Sequence, residues 1–146
     1  MKLLDFPERY GLTRARLPYP TGILAPVSFL LTFLWLRSGS LSMQDAGLLL
    51  GIVLLATICF IDDRTPLSPK IRLPFQVLAV LIIFATGTRI YTITNPLIAN
   101  GFLKLDSWVI HAPLLGGLPV LSGIFTVVWL LLTINALNWF DGIPGQ

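Results

Sequence analysis

Four long apolar stretches constrain this chain more than any other feature: Pro18–Leu36, Leu41–Ile61, Ile71–Ile90 and Gly116–Leu137. Each holds about 20 residues, which is what a helix rising ~1.5 Å per residue needs to cross a bilayer core ~30 Å thick. Hydrocarbon offers no partner to a backbone N–H or C=O. A segment entering it must satisfy its own hydrogen bonds, and among open structures only the helix does so. Composition points the same way. Only 12% of the residues are charged, against about 25% in a soluble domain, and the mean hydropathy is +0.82. Too little polar surface remains to cover a water-facing globule. The expected fold class is therefore an all-α integral membrane protein with about four transmembrane helices, forming a single membrane domain over residues 1–146.

The polar punctuation sharpens this reading. The first 20 residues contain no apolar core of the kind a secretory signal peptide needs. The lone cysteine, Cys59, has no internal disulfide partner. The net charge of +3 is too small and too scattered to imply a nucleic-acid partner. Ser68 followed by Pro69 suits an N-cap with proline at the first helical position, and Pro74 and Pro26 are expected to kink their helices. Gly116, Gly117 and Pro119 mark the start of the last stretch, and Gly142 follows its end. Between the third and fourth stretches, "RIYTIT" and "SWVIHA" are rich in β-branched and aromatic residues, with "NP" and "NG" as turns. These predict a small extracytoplasmic β-hairpin or strand pair.

Orientation follows from the cations. Lys2, Arg9, Arg14 and Arg16 precede the first stretch, and Arg64, Lys70 and Arg72 lie between the second and third. Only Arg37, Arg89 and Lys104 fall on the other side. Seven against three places the N-terminus and the second loop in the cytoplasm. Two further crossings then bring "NALNWFDGIPG" back to the face that holds Asp62 and Asp63.

Adjacent carboxylates repel, so Asp62 and Asp63 call for a cation. Mg²⁺ prefers one or two carboxylates together with phosphate oxygens and water. Lys70 and Arg72 offer positive charge for phosphate. Asn135, Asn138 and Asp141 recur every three residues, along one side of a helix end. Simpler readings compete: an aspartate at a helix end is often a cap, and "NxxNxxDG" can be a plain helix stop. Agreement of both clusters on one face weighs against two independent caps. His111 is the sole histidine and suits a surface or packing role. Trp35, Trp108 and Trp139 fit an interfacial belt, and Trp129 fits packing.

The motifs "IDDRTPLSPKIRLPFQ" and "INALNWFDGIPG" resemble those of the polyprenyl-phosphate N-acetylhexosamine-1-phosphate transferases, glycosyltransferase family 4. This family includes the phospho-N-acetylmuramoyl-pentapeptide transferase of peptidoglycan synthesis and the undecaprenyl-phosphate GlcNAc-1-phosphate transferases. The resemblance covers the chain from about Pro18 onward. It implies a multi-pass enzyme of the inner (cytoplasmic) membrane with its active site facing the cytoplasm. Such an enzyme moves a sugar-1-phosphate from a UDP-N-acetylhexosamine to polyprenyl phosphate, releasing UMP, with Mg²⁺ or in its place Mn²⁺. Asp62 and Asp63 match the catalytic and metal-binding pair, and Lys70, Asn135, Asn138 and Asp141 match substrate-binding positions. Membrane lipids surround such a protein, and a homodimer is open to it.

There are departures. Pro144 stands where many members carry a second aspartate, and no "GD" dipeptide occurs, although the family has one in a later motif. The chain is accordingly expected to be an N-terminal fragment, incomplete and inactive alone. The alternatives are a non-catalytic or degenerate membrane subunit, or a piece of a cation-binding transporter. The position of the acids at segment ends disfavours the transporter.

Overall fold

The computed structural model describes residues 13, 21–95, 97, 101–113 and 116–140. Four helices and two short strand pairs make up these residues. The helices are α1 (Thr21–Leu36), α2 (Met43–Arg64), α3 (Pro69–Ala85) and α4 (Val120–Phe140). Between α3 and α4 run β1 (Thr92–Thr94), β2 (Phe102–Lys104), β3 (Val109–Ala112) and β4 (Gly116–Pro119).

α2 starts where Ser42 leaves helical geometry and caps it. The Ser42 hydroxyl accepts from Asp45 N–H at 3.1 Å, and Asp45 Oδ2 accepts in return from Ser42 N–H at 3.0 Å and from the Ser42 hydroxyl at 2.8 Å. Two otherwise orphaned N–H groups are thereby satisfied. α3 begins with Ser68 at the N-cap and Pro69 just inside, as expected, although the Ser68 side chain makes no capping hydrogen bond. Both Pro26 and Pro74 lie inside helices that continue past them.

Helices α2 and α4 are long and apolar enough to cross a membrane. Only 22% and 17% of their most apolar windows are buried. A core helix of a soluble protein would be mostly covered. Here Leu50, Val53, Val128, Trp129 and Leu132 stand exposed, so the helices need an apolar medium around them. By length, composition and exposure both helices suit a membrane.

Of the four spans expected, these two helices have the length for it. α1 has 16 residues and α3 has 17, both short of the ~20 that spanning asks for. α3 stops at Ala85, where Thr86, Gly87, Thr88 and Arg89 interrupt the apolar run and Gly87 takes φ +108, a left-handed conformation that ends the helix. The Phe84 carbonyl accepts from Gly87 N–H at 3.1 Å and from Arg89 Nε at 3.2 Å.

The single hairpin expected from sequence is corrected to two antiparallel pairs. Strand β1 pairs with β2, with Thr92 opposite Lys104, and β3 pairs with β4, with Val109 opposite Pro119. "RIYTIT" and "SWVIHA" each supply a strand, but each pairs with the segment after it. Strand β4 takes Gly116–Pro119 out of the fourth apolar stretch. Proline disfavours helical geometry in the residue before it and has no N–H to donate, so helix begins only at Val120. The Val120 N–H donates to Trp108 O at 2.8 Å.

The helices pack as α1 on α2, α2 on α3 and α3 on α4. Small residues set the close approaches. A Cβ on Gly47 would collide with the Thr86 side chain, one on Gly51 would lie 2.7 Å from Ile83 Cδ1, and one on Gly123 would lie 2.8 Å from Phe84 Cζ. Gly47 and Gly51 form a GxxxG pair facing α3, the spacing that lets helix backbones approach where no hydrophobic force drives association. The buried residues of α3 are Gln76, Ala79, Val80 and Ile83. Its centre is the seam of the bundle.

Candidate active site

Asp62 and Asp63 occupy the last turn of α2. A helix C-terminus carries partial negative charge, so two acids there run against the dipole and need compensation. Adjacent positions on a helix differ by about 100°, and the two side chains meet different surroundings. Asp62 is half-buried. Its Oδ1 accepts from Leu67 N–H at 2.7 Å, and its Oδ2 forms an ion pair with Arg72 Nη1 at 2.9 Å. The carboxylate thus holds the connection after α2 against the first turns of α3. Asp63 is exposed and lines a cavity of about 530 Å³ between α1, α2 and α4.

Asn138, near the end of α4, lines the same cavity. The remaining lining is Ile23, Pro26, Val27 and Leu30 of α1, and Val53, Ala56, Thr57, Cys59 and Phe60 of α2. Arg64 rests its guanidinium over the Phe60 ring, 4.1 Å from the centroid, a cation–π contact that keeps positive charge beside the acids.

Other residues singled out from sequence lie elsewhere. Asn135 Nδ2 donates to Gln76 Oε1 of α3 at 3.1 Å and to Leu131 O at 2.8 Å. It joins α4 to α3. Lys70 is exposed in the first turn of α3 and is not among the residues lining the cavity. Asp141 lies outside the described residues. His111 is an exposed strand residue opposite Gly117, and Trp129 stacks on Phe125 at 6.1 Å between centroids.

Among the described residues no three His, Cys, Asp or Glu side chains cluster as a metal site. A Mg²⁺ ion asks for less than that: one or two carboxylates, with water and phosphate oxygens completing the shell. The Asp63 carboxylate and the Asn138 amide oxygen are hard donors of this type, set on one cavity. Both Asp62 oxygens already accept hydrogen bonds, so a metal there would compete with Arg72 and the Leu67 N–H.

The model for "Glycosyl transferase family 4" matches residues 46–146, a span that includes α2, α3, both strand pairs and α4. The chain belongs to glycosyl transferase family 4. No curated protein and no solved structure matches it. Family 4 membership makes the chain a transferase by family. The match contains Asp62, Asp63 and Asn138 but not α1, which supplies one wall of the cavity.

Sequence reasoning misses Gln76 as a partner. Its signal is present: an amide inside an apolar run is costly to bury unless another polar group answers it, and Asn135 is a candidate. Arg72 reads from sequence as phosphate-directed charge, whereas it is committed to Asp62.

Proposed function

We propose that the protein transfers a sugar-1-phosphate from a UDP-N-acetylhexosamine to polyprenyl phosphate at the cytoplasmic face of the inner membrane. The observation that carries this reading is the shared cavity: an acid at the end of α2 and an amide at the end of α4 line one space, far apart in sequence. Family membership supplies the reaction class.

In the reaction an oxygen of the lipid phosphate bonds to the phosphorus bearing the sugar. The bond from that phosphorus to the bridging oxygen breaks, and UMP leaves with that oxygen. Asp63 and Asn138 would hold Mg²⁺, which, when bound, lowers the repulsion between two anionic phosphates. Asp62 keeps the Asp63 turn in register through Arg72 and the Leu67 N–H. Lys70 and Arg64 supply positive charge near the interface where a lipid phosphate lies. Asn135 contributes through the link to Gln76 that fixes α4 against α3. Asp141, next after the described part of α4, is assigned to the nucleotide side with Asn138. GlcNAc-1-phosphate and MurNAc-pentapeptide-1-phosphate are the transferred groups in view, for cell-wall or surface polysaccharide synthesis.

The test is UMP release by the full-length protein in membranes, given polyprenyl phosphate, Mg²⁺ and either UDP-GlcNAc or the muramyl-pentapeptide donor. Formation of the polyprenyl-pyrophosphoryl sugar with one donor, lost in Asp63→Asn, supports the reading. Full turnover in Asp63→Asn contradicts it.

A further inference from the structure

At the end of the bundle away from Asp62 and Asp63, the strand pairs lie beside the helices rather than beyond them. Ile90 N–H, just before β1, donates to Thr126 Oγ1 at 3.0 Å, and Leu105, buried just after β2, accepts at its carbonyl from Ser122 N–H at 3.1 Å. Thr126 is in the second turn of α4, about 9 Å along the helix at its usual rise. Arg89 Nη1 donates to Gly117 O at 2.7 Å and ties the end of α3 to β4. The strands are thus held level with the first turns of α4. They also stand where α3 runs out, since its 17 residues cover about 25 Å of a bilayer core ~30 Å thick.

Their side chains do not suit water. Phe102 and Leu103 are neighbours in β2 and project to opposite faces, as do Val109 and Ile110 in β3. All four are exposed, and so is Trp108 beside them. A strand pair bathed in water would show a polar face, whereas exposed apolar side chains stand on both faces of these. Nor do the backbones suit hydrocarbon. Each pair is two-stranded, so its outer edges lack a further strand, and open edges are excluded from the bilayer core. One medium accepts both features: the interfacial zone, where headgroups and water still offer hydrogen bonds. Aromatic rings and long cationic side chains favour that level. Lys104, exposed at the end of β2, is such a cation.

We propose that the two strand pairs form a lipid-binding collar. Phe102, Leu103, Trp108, Val109 and Ile110 insert into the interfacial zone of the leaflet opposite the Asp62–Asp63 end, and Lys104 meets the phospholipid phosphates there. The collar continues the apolar exterior of α4 around the end of the shorter α3 and sets the depth at which both helices sit. The transferase reading plays no part in this inference.

The test places cysteine one at a time as Leu103→Cys, Trp108→Cys and Ile110→Cys in the full chain carrying Cys59→Ala. Each variant is labelled with a nitroxide in vesicles of phosphatidylcholine and phosphatidylglycerol, and Leu132→Cys, midway along α4, is the deep reference. A water-soluble nickel chelate is expected to collide with the three labels several-fold less often than with a free nitroxide in buffer. A lipid carrying nickel on its headgroup should relax them several-fold faster than the label at 132. Chelate collisions equal to those of the free nitroxide put the strands in water and overturn the collar. Protection from both chelate and dissolved oxygen overturns it too, because protein then covers the strands. Relaxation no faster than at 132 overturns the interfacial depth. Lys104→Glu should slow headgroup relaxation of the label at 103, and an unchanged rate removes the phosphate contact. The unaltered protein gives a second measurement that does not depend on the variants folding. A phospholipid with a photoactivated carbene source in its headgroup should tag peptides from residues 101–111, and tagging that spares them overturns the proposal.

Discussion

The two ends of α2 carry acids in opposite electrostatic settings. At the start, Asp45 is buried, closes the capping box with Ser42 and lies 3.4 Å from Arg37. The helix dipole favours it there. At the other end, Asp62 and Asp63 sit where the dipole opposes them. Asp62 is compensated by Arg72 and the Leu67 N–H, while Asp63 is turned to a cavity that it shares with Asn138. An acid that stabilises its helix is explained by the fold alone. At the other end the fold answers the dipole with Arg72 and the Leu67 N–H at Asp62, and Asp63 borders the cavity in which the chemistry is proposed.

This contrast is broken most directly at Asp63. Asp63→Asn is expected to abolish turnover, because it removes the carboxylate proposed to hold Mg²⁺, with the thermal midpoint in detergent little changed. A large loss of stability with retained turnover would make Asp63 another structural acid. Next in size is the seam. Gly51→Leu inserts a side chain where even a Cβ would crowd Ile83, and overpacking of this type costs about 1–3 kcal/mol, read as a lowered unfolding midpoint.

Asp62 falls between the two ends in character. Its pairing with Arg72 is partly exposed, at 22% and 20% of the respective side chains, so screening limits it to about 1 kcal/mol. A double-mutant cycle of Asp62→Asn and Arg72→Gln should return a coupling of that size. Zero coupling would remove the tie between α2 and α3. A similar cycle on Asn135→Leu and Gln76→Leu should give ~0.6 kcal/mol, typical of polar pairs between membrane helices. If Asn135 instead contacts substrate, Asn135→Leu raises KM for the donor with no coupling to Gln76. The smallest effect on turnover belongs to Asp45→Ala. It should cost about 1 kcal/mol of stability through the lost cap and leave kcat and KM unchanged.

Much of this is legible in the residues. α2 and α4 follow from apolar length, and Asp63 and Asn138, each singled out by its motif, line one cavity. Other features are harder to read, for physical reasons. Hydropathy does not register that Pro119 keeps Leu118 extended and delays the helix to Val120. Spacing by three puts Asn135 and Asn138 on one side of α4, yet that step turns a side chain by about 60°. The turn is enough for Asn135 to meet α3 and Asn138 to meet the cavity. The capping box uses Asp45 where glutamate or glutamine is the usual sign, and the Gly47–Gly51 pair is hidden inside leucines.

The central claim is that the end of α2 and the end of α4 border one space. Cysteines introduced together at positions 63 and 138, in a Cys59→Ala background and in native membranes, test it with a short bifunctional maleimide. Cross-linked protein from the double variant and none from either single variant is the predicted result. Modification of the two positions by an impermeant maleimide from opposite sides of the membrane would contradict it.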